Sequence, residues 1–114
     1  MLETEPGPLI IPAPVTVEVD YLLRQRGGAR AARRFLEDLA EERFRVASPT
    51  VEEYGLVLAV HDRHAALDLG LADLSVVVLA ARYRTTRLLT FDERDFRQVT
   101  PLQGGAFSLL PADS

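Results

Sequence analysis

The chain is 114 residues long and 47% apolar, so it has material for one domain and one core. It contains no cysteine, which excludes a disulfide scaffold, thiolate zinc ligands and thiol catalysis. The net charge is −4 and all 13 basic residues are arginine, a balance unlike that of a basic nucleic-acid binder; an acidic chain can still cut nucleic acid if its acids hold metal ions.

Leu9-Ile10-Ile11 is a short apolar run between prolines and predicts a brief buried strand. Pro12 and Pro14 suit the first turn of a helix, where a missing amide donor costs nothing. That helix is expected to stop at Gly27-Gly28. A second follows from Ala29 to about Glu42, with Ala32, Phe35, Leu36 and Leu39 at core spacing. Arg43 to Val46 alternates and predicts a strand. Ser48-Pro49-Thr50 before Glu52-Glu53 marks a helix start, with Val51, Tyr54 and Leu58 expected inward. After Gly70, Leu71 to about Tyr83 is apolar almost all round and predicts a helix buried on several sides. Arg87 to Phe91 predicts a strand, 93–98 a short helix, and Ala106 to Leu110 a last strand. Strands alternating with helices predict a single α/β domain over 1–114 with a mainly parallel sheet.

The longest apolar run, Leu74 to Ala81 interrupted by Ser75, falls short of the roughly 18 residues a bilayer needs. The first residues carry acids where a secretory signal carries base. The expectation is a cytoplasmic protein without a membrane contact.

Three carboxylates stand out because their neighbours are apolar. Glu18 shares a helix face with Pro14, Val15, Tyr21 and Leu22, whereas Asp20 turns away from it. Asp73 has Val76 and Val77 on its face, and Asp92 ends the strand Leu88 to Phe91, where open parallel sheets place their sites. Asp73 also suits a helix first turn, and Asp92 a helix cap. Inward carboxylates with no lysine to neutralise them favour a divalent cation. His61 and His64, three apart, read as a polar helix end, and no serine has the context of a hydrolase triad.

Pro12 to Leu23, Leu69 to Val77 and Leu89 to Phe96, the last containing Thr90-Phe91-Asp92-Glu93-Arg94-Asp95-Phe96, resemble the PIN domain of VapC-type toxins over essentially the whole chain. The resemblance implies a three-layer sandwich around a mainly parallel sheet. It also implies a magnesium- or manganese-dependent endoribonuclease, the toxin of a type II toxin–antitoxin pair. The family's acids fall on Glu18, Asp73 and Asp92, the implied catalytic and metal-binding set, and Thr90 matches its hydroxyl residue. The implied partners are RNA, a VapB-type antitoxin and a second copy in a homodimer. The family's first strand, with its aspartate, has no counterpart here. The expectation is therefore an N-terminally truncated sheet with bare apolar faces at Leu9 to Ile11 and Leu88-Leu89. Its alternative function is an inactive module that binds an antitoxin. Arg82, Arg84 and Arg87 are candidates for steering RNA phosphates.

Overall fold

Pro12 closes strand β1 (Ile10–Pro12) and opens helix α1 (Ala13–Ala40), with proline again at the start of the helix. In the computed structural model, which describes residues 1–4, 7–90, 95–110 and 112–113, α1 leads across to β2 (Arg45–Ala47). Strand β2 pairs parallel with β1, Ile11 opposite Val46. Helix α2 (Val51–Arg63), a single 3₁₀ turn (Ala65–Leu67) and helix α3 (Leu71–Arg82) follow. Strand β3 (Arg87–Leu89) then pairs parallel with β4 (Ser108–Leu110), Leu88 opposite Leu109. The α/β class and the parallel pairing are as expected.

The centre of the sheet differs from expectation. The two parallel pairs are joined by Leu2, which bridges antiparallel to both Ile10 and Leu88. Its N–H donates to the Ile10 carbonyl at 2.7 Å, and its own carbonyl accepts from the Ile10 N–H at 2.9 Å. On the other side, Glu3 N–H donates to Arg87 O at 3.0 Å and Leu89 N–H to Met1 O at 2.9 Å. Thr85 Oγ1 donates to the Glu3 carbonyl, and Arg87 pairs with the Glu3 carboxylate. Leu2 is 0% exposed. Residues 1–3 therefore satisfy the inner edges of β1 and β3, and Ile10, Ile11 and Leu88, expected bare, are covered.

Helix α1 is broken where the two glycines predict. Gly28 has φ +74° and ψ −169°, outside helical geometry, so 13–27 and 29–40 are two helical halves. A Cβ on Gly27 would lie 2.7 Å from the Ala31 Cβ, so the bend brings the chain closer than alanine permits. Val15 anchors the first half in the core and Ala32 and Phe35 the second; Leu36, expected inward, is exposed.

Helix α3 is buried continuously from Leu74 to Ala80, as its all-round apolar sequence predicts. Ser75 Oγ is buried there with no hydrogen-bond partner among the described residues. The phase of α2 differs from expectation: Val57 and Val60 are buried, whereas Val51 is 89% and Leu58 62% exposed. This helix is apolar on more than one side, so periodicity alone does not select its face. Docking against α3 does.

Arg82, at the end of α3, is fixed against the start of α2. Its Nε donates to Glu53 Oε2 at 2.9 Å, a second nitrogen reaches Glu53 Oε1, and the same nitrogen donates to Ser48 O at 2.7 Å. Glu53 also closes the capping box with Thr50. The Arg82 hydrogen bonds hold the Glu53 carboxyl at about 2, below its ordinary 4.5. Arg97, paired to both oxygens of Asp113, holds that carboxyl at about 2 as well, with the Leu109 N–H assisting. Both folded values are depressed, so the unfolded chain binds more protons between them and the ordinary values. Stability is full above about pH 4.5 and falls as pH drops toward about 2. Urea midpoints measured across that window fall with acid, and Glu53→Gln flattens part of the fall while lowering the neutral-pH midpoint.

Candidate metal and RNA site

The first half of α1 and the N-terminal turn of α3 face one another across a cavity of about 740 Å³. Val15, Glu18, Leu22 and Arg26, spaced three and four residues apart, bring one side of α1 to it. Asp73 and Val76 reach it from α3, and Thr90 from the end of β3. Among the described residues, the charged side chains on the wall are Glu18, Asp73 and Arg26.

Asp73 sits in the first turn of α3, whose N-cap, Gly70, offers no side chain to the free amides. The helix dipole favours a carboxylate at that place. Asp73 is half-buried, while Glu18 is exposed toward solvent. That corrects the expectation that Glu18 is buried with the apolar stripe: this stretch of α1 is covered along Val15, and its neighbours Val17, Tyr21 and Leu22 are exposed like Glu18 itself. Asp20 turns away and pairs with Arg24, as its position two residues on requires. The Met1 α-ammonium donates to Leu89 O at 3.1 Å on the same wall. Burial lowers its pKa to about 6, against the opposing pull of the Asp73 carboxylate.

Of the three acids singled out from sequence, Glu18 and Asp73 come to one cavity, and Asp92 lies outside the described residues. Among the described residues, no three carboxylates or imidazoles gather as a complete ligand set. His61 instead contacts its neighbour Asp62. The donor chemistry of the cavity still suits a hard divalent cation: two carboxylates and the Thr90 hydroxyl line it, and neither imidazole nor sulfur ligand from histidine or cysteine does.

The arginines chosen from sequence are placed differently. Arg82 is committed to Glu53, and Arg87 to Glu3; Arg84 is exposed in a left-handed turn at φ +53°. Arg26, which the sequence reading passed over, is the guanidinium on the cavity. Its signal was present in the run 24–34, which holds five arginines and no acid.

This fold, with a two-acid cavity beside its parallel sheet, is that of the PIN domain, whose sequence model matches residues 1–101; the chain belongs to that family. It is 32% identical over 110 residues to Ribonuclease VapC26 of Mycobacterium tuberculosis, a match covering 96% of this chain and 82% of that protein. The fold is shared with the crystal structure of Mycobacterium tuberculosis VapC20, described as a sarcin-ricin loop cleaving toxin. That match has a TM-score of 0.66 and 20% identity, over 79% of this chain and 69% of VapC20. No helix among the described residues is long and apolar enough to cross a membrane.

Proposed function

We propose that the protein is a VapC-type ribonuclease toxin that hydrolyses RNA phosphodiester bonds with a divalent cation, magnesium or manganese, held at Glu18, Asp73 and Asp92. The observation that carries this reading is the meeting of Glu18 and Asp73, 55 residues apart in sequence, on one cavity in a member of the PIN family. The likeness to Ribonuclease VapC26 supports the substrate class. A cation bound there supplies charge for the scissile phosphate and lowers the pKa of an attacking water. Glu18 and Asp73 present the oxygens that hold it, and the first turn of α3 keeps Asp73 oriented. Thr90 and the apolar side chains of Val15, Leu22 and Val76 line the same cavity.

The proposed partners, besides RNA, are a VapB-type antitoxin and a second copy of the chain. Val17 and Tyr21 on α1 and Leu56 and Leu58 on α2 are exposed apolar side chains of the kind such contacts cover. The proposed compartment is the cytoplasm, where RNA and antitoxin are found.

Metal removal tests the reading. The purified chain is expected to cleave a labelled RNA in millimolar magnesium or manganese, to stop in excess EDTA, and to recover when the cation is restored. Cleavage that survives EDTA overturns it. A second reading, an inactive antitoxin-binding module, draws on the exposed apolar side chains of α1 and α2. It predicts antitoxin capture with no cation-dependent cleavage at all.

A further inference from the structure

Residues 24–34 put five arginines and no acid into a chain of net charge −4. Three of the five are engaged: Arg24 pairs with Asp20, Arg33 with Glu37 and Arg34 with Asp38. Arg26 and Arg30 are exposed and have no ion-pair partner among the described residues. An acidic chain that leaves these two guanidiniums without an ion pair has charge available for an external anion.

Their positions are informative. Glu18, Leu22 and Arg26 follow at intervals of four, so the Arg26 guanidinium shares a helix face and a cavity with the Glu18 carboxylate. Across the kink at Gly28, Arg30 lines a second, open concavity of about 470 Å³ together with Gly27, Ala31, Arg33, Arg34 and Glu37, the last paired with Arg33. The bend therefore lies between a cavity lined by Glu18, Asp73 and Arg26 and a second lined by three arginines and Glu37, with Arg30 in the second.

A polyanion approaching Glu18 and Asp73 meets like charge at the reacting centre and needs compensation close by. Guanidinium forks grip phosphate oxygens in pairs and cannot lose their charge near neutral pH. We propose that Arg26 and Arg30 grip successive backbone phosphates of a single RNA strand and lead it across the Gly27-Gly28 kink to the carboxylates. The assignment rests on the ribonuclease reading. RNA is favoured over an acidic protein partner because the ribonuclease reading puts a phosphodiester at the carboxylates, and Arg26 lines the cavity that holds them.

The test is fluorescence anisotropy of a fluorescein-labelled, mixed-sequence single-stranded RNA with the full chain in EDTA, titrated from about 50 to 200 mM salt. Arg26→Ala and Arg30→Ala are each expected to weaken binding about 3- to 10-fold, and to reduce the slope of log affinity against log salt by about 0.7. The double variant loses about 1.4 from the slope, and Arg26→Lys keeps the slope while weakening the fork. Both side chains are exposed, so thermal melts of all variants should match the parent; a purely structural role would move the melts and leave the slope.

Unchanged affinity and slope in the double variant overturn the proposal. So does an absence of RNA binding by the parent at about 50 mM salt. Failure of the ribonuclease reading looks different: the parent then shows no EDTA-sensitive cleavage of RNA, whatever the anisotropy shows.

Discussion

Asp73→Asn is expected to lower RNA cleavage by about 100-fold or more, with Glu18→Gln similar, while the variants fold and melt close to the parent. The substitution keeps the shape of the side chain and removes its charge. Asparagine still offers one oxygen to the cavity, but it cannot offset the charge of a hard cation as a carboxylate does. The expected stability change is small because Asp73 is only half-buried and Glu18 is exposed. The stability cost is about a few tenths of a kcal/mol for Asp73, through its loss at the α3 N-terminus. A loss of cleavage without a loss of melting temperature separates a role in chemistry from a role in folding. Equal cleavage by the parent and both variants would remove the two carboxylates from the mechanism.

The largest structural effect is expected at Leu2. It is fully buried in the middle of the sheet, hydrogen-bonded through both backbone groups to Ile10 and packed over Leu88. Leu2→Ala is expected to cost about 2–5 kcal/mol from lost transfer energy and the cavity left behind. That is a large share of the 5–15 kcal/mol typical of a folded domain. Leu2→Asp adds an unpaired buried carboxylate and should leave the chain largely unfolded. Leu58→Ala, at an exposed position, serves as the matched control and should change stability by less than about 0.5 kcal/mol. Urea midpoints of the two alanine variants measure the difference. Equal midpoints would mean that Leu2 does not hold the two strand pairs together.

Much of this architecture is legible in the residues. The break in α1 is written in Gly27-Gly28 because a positive φ there suits glycine. The burial of α3 is written in Leu74 to Ala80, which has no polar face to offer water apart from Ser75. Glu18 and Asp73 both line the cavity, but the apolar-face pattern that singles out Glu18 does not describe its surroundings, where Val17, Tyr21 and Leu22 are exposed with it. Other features depend on tertiary contacts that pattern does not encode. Val51, Tyr54 and Leu58 keep helical spacing, yet Val57 and Val60 form the buried face, because both faces of α2 are apolar enough to dock. Leu2, between Met1 and Glu3-Thr4-Glu5, shows no strand pattern; its burial follows from the edges of β1 and β3 that it pairs, at Ile10 and Leu88, 8 and 86 residues further along the chain. Arg82 looked free for RNA because its partner, Glu53, is 29 residues away on another helix. Arg26 shares a helix face with Glu18 and Leu22, but nothing in the run 24–34 sets it apart from the four other arginines there.

The central claim is that Glu18 and Asp73 share one divalent cation. Manganese binding followed by electron paramagnetic resonance tests it directly, since free and bound ions give different signals and no cleavage is needed. The parent chain is predicted to take up one manganese ion per chain with an affinity that Asp73→Asn and Glu18→Gln each weaken at least tenfold, in line with the cost of disturbing a ligand set. Equal manganese uptake by parent and both variants would contradict the claim.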